Sequence, residues 1–247
     1  MNISEKSIIG ELVSQNYKAA SVFKSYGVDF CCNGNRTIGE ACKAKGISSE
    51  NMLNQLSSVL KEKDSALPAF DAWPMDLLVD YIEKKHHRYV DAKITEIKPF
   101  LHKVVKVHGG EHPELVEIEK LFLESAGDLT AHMKKEELIL FPFIKKMVVA
   151  KIAGDQPNQP HFGTVENPVA MMKEEHNQEG ERFRKIAELS NNYTVPADAC
   201  NTYMVTFGML KEFEEDLHMH IHLENNILFP QAIALEKELR YGEAFAN

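Results

Sequence analysis

The sequence has 247 residues, of which 44% are hydrophobic, and its 28 basic and 37 acidic side chains give a formal net charge of −9. This apolar content is enough for a packed core and excludes a disordered chain, and the acidic balance argues against a nucleic-acid binder. No apolar run approaches the ~20 residues that span a bilayer, and the first residues place Glu and Lys where a signal peptide is apolar. Four cysteines are too few for a disulfide scaffold. We therefore expect a soluble cytoplasmic protein.

Residues 1–63 are predicted to form a small helical domain, because their apolar residues recur at helical spacing. Thr37 and Glu40 have the spacing of a capping box, which predicts the start of one of its helices. The preceding stretch, GVDFCCNGNR, is rich in Gly and Asn. This composition predicts an exposed loop that carries the adjacent cysteines Cys31 and Cys32.

Residues 64–74 contain two prolines and are predicted to be a linker, and residues 75–247 are predicted to form a helical bundle. Four long segments show helical periodicity, and none alternates like a β-strand. Long helices joined by short connections are typical of an up-down-up-down four-helix bundle, so the predicted fold class is all-α. The predicted segments are A, about 75–107; B, about 113–151; C, about 168–191; and D, about 197–240.

Segments B and D contain nearly the same string, HMKKEELILFP starting at His132 and HIHLENNILFP starting at His220. In each string a Glu follows the His by four residues, Glu136 and Glu224, and both side chains lie on the apolar stripe that should face the core. A buried carboxylate needs a compensating cation, and neither stripe offers a Lys or Arg near the pair. The repeat therefore predicts a metal site.

The other two segments are predicted to add imidazoles at the same height. The apolar stripe of segment C contains His176. In segment A, the string KKHHR offers His86 and His87; the apolar spacing before it favours His86, the spacing after it favours His87, and periodicity leaves the choice open. Four imidazoles and two carboxylates are too many for one ion, which predicts a dinuclear site. Nitrogen and oxygen ligands without thiolate suit iron, manganese or zinc more than copper(I).

These motifs resemble the hemerythrin-type di-iron bundle, and the whole chain resembles the iron–sulfur cluster repair proteins. That family joins a short domain with an [FY]-C-C-x-G motif to a hemerythrin-like domain; here the matching strings are DFCCNGNRTIGEAC, KKHHR, HMKKEELILFP, EEHNQEG and HIHLENNILFP. The resemblance implies two oxo- or hydroxo-bridged iron ions per chain, with Glu136 and Glu224 as bridging carboxylates, and it favours His87 over His86. The implied iron ligands are His87, His132, Glu136, His176, His220 and Glu224.

The resemblance also implies a function, the repair of iron–sulfur clusters damaged by oxidative or nitrosative stress by supplying iron. The implied partners are damaged or apo iron–sulfur proteins, and the implied assembly is a homodimer. Two alternatives stay open: a di-iron enzyme that reduces nitric oxide or oxygen, and a module that binds or senses a diatomic gas. Oxygen-carrying hemerythrins have a further His one turn after the third-helix ligand, where this chain has Gly180. That difference implies six protein ligands, leaves a position open and argues against a simple oxygen store.

Cys31 and Cys32 are predicted to be a reactive pair for redox exchange or iron transfer, and a purely structural pair of packed thiols is the alternative. A disulfide between neighbouring residues is strained and easily reduced, which favours the first interpretation. Cys200 is predicted to be a packing residue, and His108 a solvated surface residue.

Two acidic residues are candidates for supporting the metal site. Glu175 is next to His176, and Asp128 lies one turn before His132; both could line the access to the site. The alternatives for each are an ordinary surface residue and a carboxylate that orients a metal-bound imidazole.

Overall fold

The computed structural model describes residues 3–61, 68–157 and 159–241. The chain is all-α, as predicted: among these residues the only strand-like pairing is an isolated antiparallel bridge between Ile8 and Thr37. No helix in the described ranges is both long and apolar enough to cross a membrane.

The chain divides into two compact units. The N-terminal unit comprises Met1–Leu78 together with Ile221–Asn247, and the bundle unit comprises Val79–His220. The N-terminal unit therefore contains the last part of segment D. Residues 64–67 of the predicted linker lie outside the described residues, and the predicted boundaries of the domains stay predictions.

The N-terminal unit begins with four short helices that bury an apolar core. The predicted capping box is present at the third helix: the Glu40 N–H donates to Thr37 Oγ1 at 3.2 Å, and the Thr37 N–H donates to Glu40 Oε2 at 2.8 Å. This helix ends at Gly46, whose positive φ of 65° favours glycine. The helices are α1 (Ile9–Gln15), α2 (Lys18–Ser25), α3 (Ile38–Lys45) and α4 (Ser49–Lys61).

The four predicted long segments are present, and three of them are interrupted by a π-helical turn. Segment A comprises α5 (Met75–Tyr81), a π turn (Ile82–His87) and α6 (Arg88–His108). Segment B comprises α7 (Glu114–Lys135), a π turn (Glu136–Leu140) and α8 (Phe141–Ala153). Segment C is α9 (Glu166–Leu189). Segment D comprises α10 (Asn201–Leu223), a π turn (Glu224–Leu228) and α11 (Phe229–Tyr241).

The bundle unit is a helical bundle, as predicted. In it α6 packs against α7, and α7 packs against α9. Phe213 of α10 joins the same core, because its ring lies 5.5 Å from the rings of both Phe122 and Phe183. Burying large aromatic rings is among the most stabilising contributions that a core can make. This packing fixes the rotation of each helix and so determines which side chains point inward.

Candidate metal centre

The three π-helical turns lie at predicted ligands and set the direction of their side chains. Each turn closes with a hydrogen bond from the N–H of the residue after it to the carbonyl five residues earlier. A π turn inserts one residue into an α-helix, so the side chains before and after it fall out of register, and such turns are frequent at functional sites. The first turn explains why periodicity favoured His86 from one side and His87 from the other.

Five of the predicted ligands lie in the bundle unit, where they are buried and turn their polar atoms toward one another. His87 Nε2 lies 3.2 Å from His220 Nε2, and His132 Nε2 lies 3.0 Å from His176 Nε2. One oxygen of Glu136, Oε2, lies 3.4 Å from His87 Nε2 and 3.3 Å from His132 Nε2. The structure thus forms two imidazole pairs with one carboxylate between them. Each imidazole pair forms one group together with Glu136, and the ligand atoms of each group lie within 4.8 Å of one another.

Two further carboxylates hold the outer nitrogens of these imidazoles. His132 Nδ1 lies 2.8 Å from Glu175 Oε2, and His87 Nδ1 lies 3.0 Å from Glu137 Oε1. The hydrogen bond with His132 is the main cause that lowers the pKa of Glu175 to about 2. Burial opposes ionisation of Glu137, but hydrogen bonds with Lys134 and His87 outweigh it and lower the pKa. Both carboxylates are therefore ionised at neutral pH.

This hydrogen bonding leaves the inner nitrogens as electron-pair donors. An ionised carboxylate only accepts hydrogen bonds, so the Nδ1 atoms of His87 and His132 carry the hydrogens. In the neutral imidazole, Nε2 then carries a lone pair, and both of these lone pairs face the Glu136 carboxylate. A proton on Glu136 could form a hydrogen bond with only one of the two Nε2 atoms. A cation at each imidazole pair would instead bind both lone pairs and compensate the charge of the carboxylate. The residues present therefore fit a pair of metal ions.

Asp128 does not orient the His132 imidazole. Its carboxylate pairs with Arg182 at 2.8 Å, and Glu175 holds the His132 imidazole instead. Sequence spacing named Glu175 as a candidate but did not pair it with His132, because Glu175 belongs to segment C and His132 to segment B and only the packing of the two helices brings them together. Glu137 was missed, although its position directly after Glu136 was a signal.

His86 is buried beside the two candidate metal-binding groups but belongs to neither of them. Its Nδ1 lies 3.0 Å from Asp216 Oδ2, and its ring stacks on that of His220 with centroids 5.8 Å apart. The geometry of the described residues thus favours His87 over His86.

Glu224 and Gly180 complete the set of predicted site positions. Glu224 is fully buried and follows His220 by four residues on one continuous helix, the same spacing that separates Glu136 from His132. Gly180 is buried in α9 and offers no side chain. Its neighbour Glu179 is buried too, but it accepts a hydrogen bond from Ser125 Oγ at 2.5 Å and pairs with Arg182.

Two family models match the chain. The domain of unknown function DUF542 matches residues 5–60, and the hemerythrin HHE cation binding domain matches residues 78–232. The second match covers more than half of the chain.

Similar proteins include an iron-sulfur cluster repair protein ScdA from Staphylococcus haemolyticus, which is 30% identical over 92% of this chain and 98% of its own length. An iron-sulfur cluster repair protein YtfE from Musicola paradisiaca is 32% identical over 94% of this chain and 98% of its own length. The corresponding YtfE protein from Escherichia coli is 30% identical over 92% of this chain and 97% of its own length. The chain belongs to the iron–sulfur cluster repair family.

In this member of the iron–sulfur cluster repair family, the adjacent cysteines lie in a tightly hydrogen-bonded loop. Asp29 Oδ1 accepts from the N–H groups of Cys31, at 3.1 Å, and Cys32, at 2.9 Å. The two Sγ atoms are 3.8 Å apart and are not joined in a disulfide. The predicted exposed loop is wrong in part, because Cys31 and Gly34 are buried while Cys32 is half-buried. The hydrogen bond with Cys32, followed by burial and the charge of Asp29, raises the pKa of the Cys31 thiol.

The end of segment D covers this loop within the N-terminal unit. Asn225 Nδ2 donates to Cys31 O at 3.2 Å, and Asn226 Nδ2 donates to Phe30 O at 3.1 Å. These two amides satisfy carbonyls of a buried loop, which would be costly to leave without hydrogen bonds. Asn225 and Asn226, the two residues directly after Glu224, therefore help to position the cysteine loop.

Proposed function

We propose that this protein binds two iron ions and supplies iron for the repair of iron–sulfur clusters damaged by oxidative or nitrosative stress. The observation that carries the proposal is the Glu136 carboxylate between the imidazole pairs His87/His220 and His132/His176. Each pair offers two nitrogens to one ion, and the shared carboxylate suits a bridge. The names of the similar repair proteins support the biological function, and homodimerisation and a cytoplasmic location stay predictions.

The donor set supports iron but does not select it by chemistry alone. Imidazole and carboxylate ligands without thiolate suit iron, manganese and zinc. Membership of the repair family favours iron among these. Glu224 is proposed as the second bridging carboxylate, because it is fully buried and has the same spacing after His220 that Glu136 has after His132.

The chain's own residues are proposed to hold the ions firmly enough for storage and loosely enough for release. When bound, the two ions would supply iron for transfer and the exchange of electrons between the ferrous and ferric states. Glu175 and Glu137 hold the Nδ1–H groups of His132 and His87, which keeps the electron pairs of the inner nitrogens directed at the site. Gly180 contributes no ligand, so one position is left for solvent or a small molecule.

Cys31 and Cys32 are proposed to take part in iron transfer or redox exchange. Asp29, Cys31 and Cys32 each offer one ligand atom, and these atoms lie within 4.8 Å of one another. Thiolates bind iron, and an ionised Asp29 adds an oxygen ligand. The double variant Cys31→Ser/Cys32→Ser should keep its two iron ions but donate iron more slowly. An unchanged donation rate would make the pair structural.

The ligand assignment is tested by the iron content of purified variants. Glu136→Ala and Glu224→Ala should each bind clearly less iron than the about two ions per chain expected of the wild type, because a buried bridging ligand is lost. Glu124→Ala is the matched control, since Glu124 is an exposed residue of α7. Elemental analysis together with the visible spectrum gives the content and the metal's identity. Unchanged iron in both ligand variants would refute the assignment.

The repair function is tested by incubating the iron-loaded protein with an enzyme whose iron–sulfur cluster has been damaged or removed. Activity of that enzyme should return faster than with the same amount of free ferrous iron. No advantage over free iron would refute the proposal. Sustained consumption of nitric oxide or oxygen with an electron donor would instead identify an enzyme, and tight binding without consumption would identify a gas-binding module.

A further inference from the structure

A cysteine and a histidine meet at the end of the bundle unit where α6 ends and α10 begins. His108 Nε2 lies 3.2 Å from Cys200 Sγ, although 92 residues separate them in the chain. Cys200 is exposed, so its sulfur is accessible to solvent. The prediction that Cys200 is a packing residue is wrong, because the residue is exposed. His108, predicted to be a solvated surface residue, is half-buried and contacts the Cys200 sulfur.

The start of α10 gives the Cys200 sulfur further polar contacts. The Cys200 carbonyl accepts a hydrogen bond from the Met204 N–H at 3.1 Å, which places Cys200 at the first turn of the helix. The backbone N–H groups of Thr202 and Tyr203 stabilise the thiolate there. Chiefly through the hydrogen bond with His108, and then through these N–H groups, the pKa of Cys200 is lowered to about 7. Imidazoles and helix N-termini are the environments that make cysteines reactive.

The acidic residues around the pair are engaged by another histidine. His112 lies 2.9 Å from Asp198 Oδ2 through Nε2 and 3.2 Å from Glu114 Oε1 through Nδ1. These contacts, with Asp198 the largest cause, raise the pKa of His112. The ring of Tyr203 lies 5.4 Å from that of His108. The titratable groups beside the Cys200–His108 pair are therefore His112, the two acids that contact it, and the Tyr203 phenol.

The other thiols with a shifted pKa have the opposite environment. Cys31 and Cys42 are buried, and the pKa of each is raised. Cys42 donates to Met52 Sδ at 3.7 Å in the core of the N-terminal unit. A cysteine reacts with an external reagent in proportion to the fraction of its thiol that is ionised and accessible. Cys200 is therefore expected to be more reactive than Cys31 and Cys42.

We propose that Cys200 and His108 form a reactive thiolate–imidazole pair, which makes Cys200 a site of reversible S-thiolation by low-molecular-weight disulfides. The Cys200 sulfur attacks one sulfur of the disulfide, a new mixed disulfide forms, the original S–S bond breaks, and the second half leaves as a thiolate that can take the proton from His108. The incoming disulfide is the oxidant and is itself half reduced. A second small thiol reverses the exchange. His220 lies twenty residues further along α10, about 30 Å of helix, so this site is separate from the proposed iron ligands.

The test follows Cys200 by mass spectrometry in the iron-loaded full-length protein treated with glutathione disulfide at a series of pH values. The wild-type rate should rise with pH through a midpoint near 7. In His108→Asn the midpoint should rise toward the ordinary cysteine value of about 8.5 without reaching it, because the N–H groups of Thr202 and Tyr203 remain. The rate at pH 7 should fall by up to about three- to fourfold, because fewer thiolates form although each is more nucleophilic. His102→Asn is the matched control: His102 lies on the same helix, α6, but it is exposed and pairs with Glu119.

Both outcomes of this test are decisive. A midpoint near 7 that moves in His108→Asn and stays in His102→Asn supports the pair. A wild-type midpoint near the ordinary cysteine value, or equal behaviour of the two variants, overturns it. Bound iron is measured in the same samples and should not change, so failure of this proposal is distinguishable from failure of the proposed iron site.

Discussion

At the scale of single residues, the proposed metal centre depends on carboxylates that belong to neither of the two candidate metal-binding groups. Glu175 and Glu137 determine which nitrogen of His132 and His87 carries the hydrogen. This choice decides whether the inner nitrogens can bind a cation at all, because a protonated Nε2 has no lone pair to give. The supporting carboxylates therefore influence how strongly the site can bind a cation.

Glu175→Gln should weaken iron binding without removing it. A neutral amide still accepts the Nδ1–H of His132 but no longer supplies the negative charge that makes the imidazole a stronger ligand, a loss that typically costs about 10- to 100-fold in metal affinity. Competition with an iron chelator measures the change. Glu174→Gln, the exposed neighbour on the same helix, serves as the control. Equal affinities of the two variants would show that the Glu175 charge does not support the site.

At the scale of helices and loops, the cysteine loop is held against the end of segment D by close backbone approach. A Cβ on Gly34 would lie 2.5 Å from Phe30 O and 2.8 Å from Asn226 Oδ1, and a Cβ on Gly10 would lie 2.5 Å from the same Asn226 oxygen. Glycine at both positions therefore permits the hydrogen bonds that Asn226 makes with the loop. His222 adds its ring, 6.1 Å from that of Phe30.

Gly34→Ala should destabilise the N-terminal unit by about 1–3 kcal/mol, because the new methyl group must displace a backbone carbonyl or Asn226. The control is Gly127→Ala in α7, where a Cβ meets nothing within 4 Å. That substitution should stabilise the protein by roughly 0.5–1 kcal/mol, since glycine disfavours a helix interior. Urea unfolding followed by fluorescence of Trp73, which belongs to the N-terminal unit, measures the first effect. Circular dichroism measures the second.

At the scale of the whole molecule, the bundle gathers electron-pair donors that repel one another unless a cation lies between them. Four imidazoles and Glu136 are buried at one level of the bundle unit. Burying such groups costs free energy that the aromatic core around Phe213 must offset in the metal-free state. Metal binding should remove this cost, so folding and metal loading are expected to be coupled.

Removing iron should therefore lower the melting temperature of the protein. At a free iron concentration 100 times the dissociation constant, binding to the folded state alone contributes about 2.7 kcal/mol. Thermal unfolding by circular dichroism, with and without a chelator, measures the difference. In Glu136→Ala the difference should shrink strongly, whereas in Glu124→Ala it should equal that of the wild type. Identical melting curves with and without iron in the wild type would contradict the coupling.

The sequence by itself determined the helical fold and the chemistry offered by the centre, because both depend on local spacing. A four-residue step between His132 and Glu136 places both on one helix face whatever surrounds them. The repeat in segment D carried the same information, and the resemblance to the repair family rested on these local strings.

Only the tertiary structure decided how side chains on different helices meet. The π turn in segment A inserts one residue into the helix. The apolar periodicity before and after the turn is therefore out of phase, and for this reason periodicity could not choose between His86 and His87. Glu175 reached His132, and His108 reached Cys200, across 43 and 92 residues of chain. Such contacts depend on the rotation and packing of whole helices, which are set by the sum of many weak apolar contacts rather than by any short string of residues.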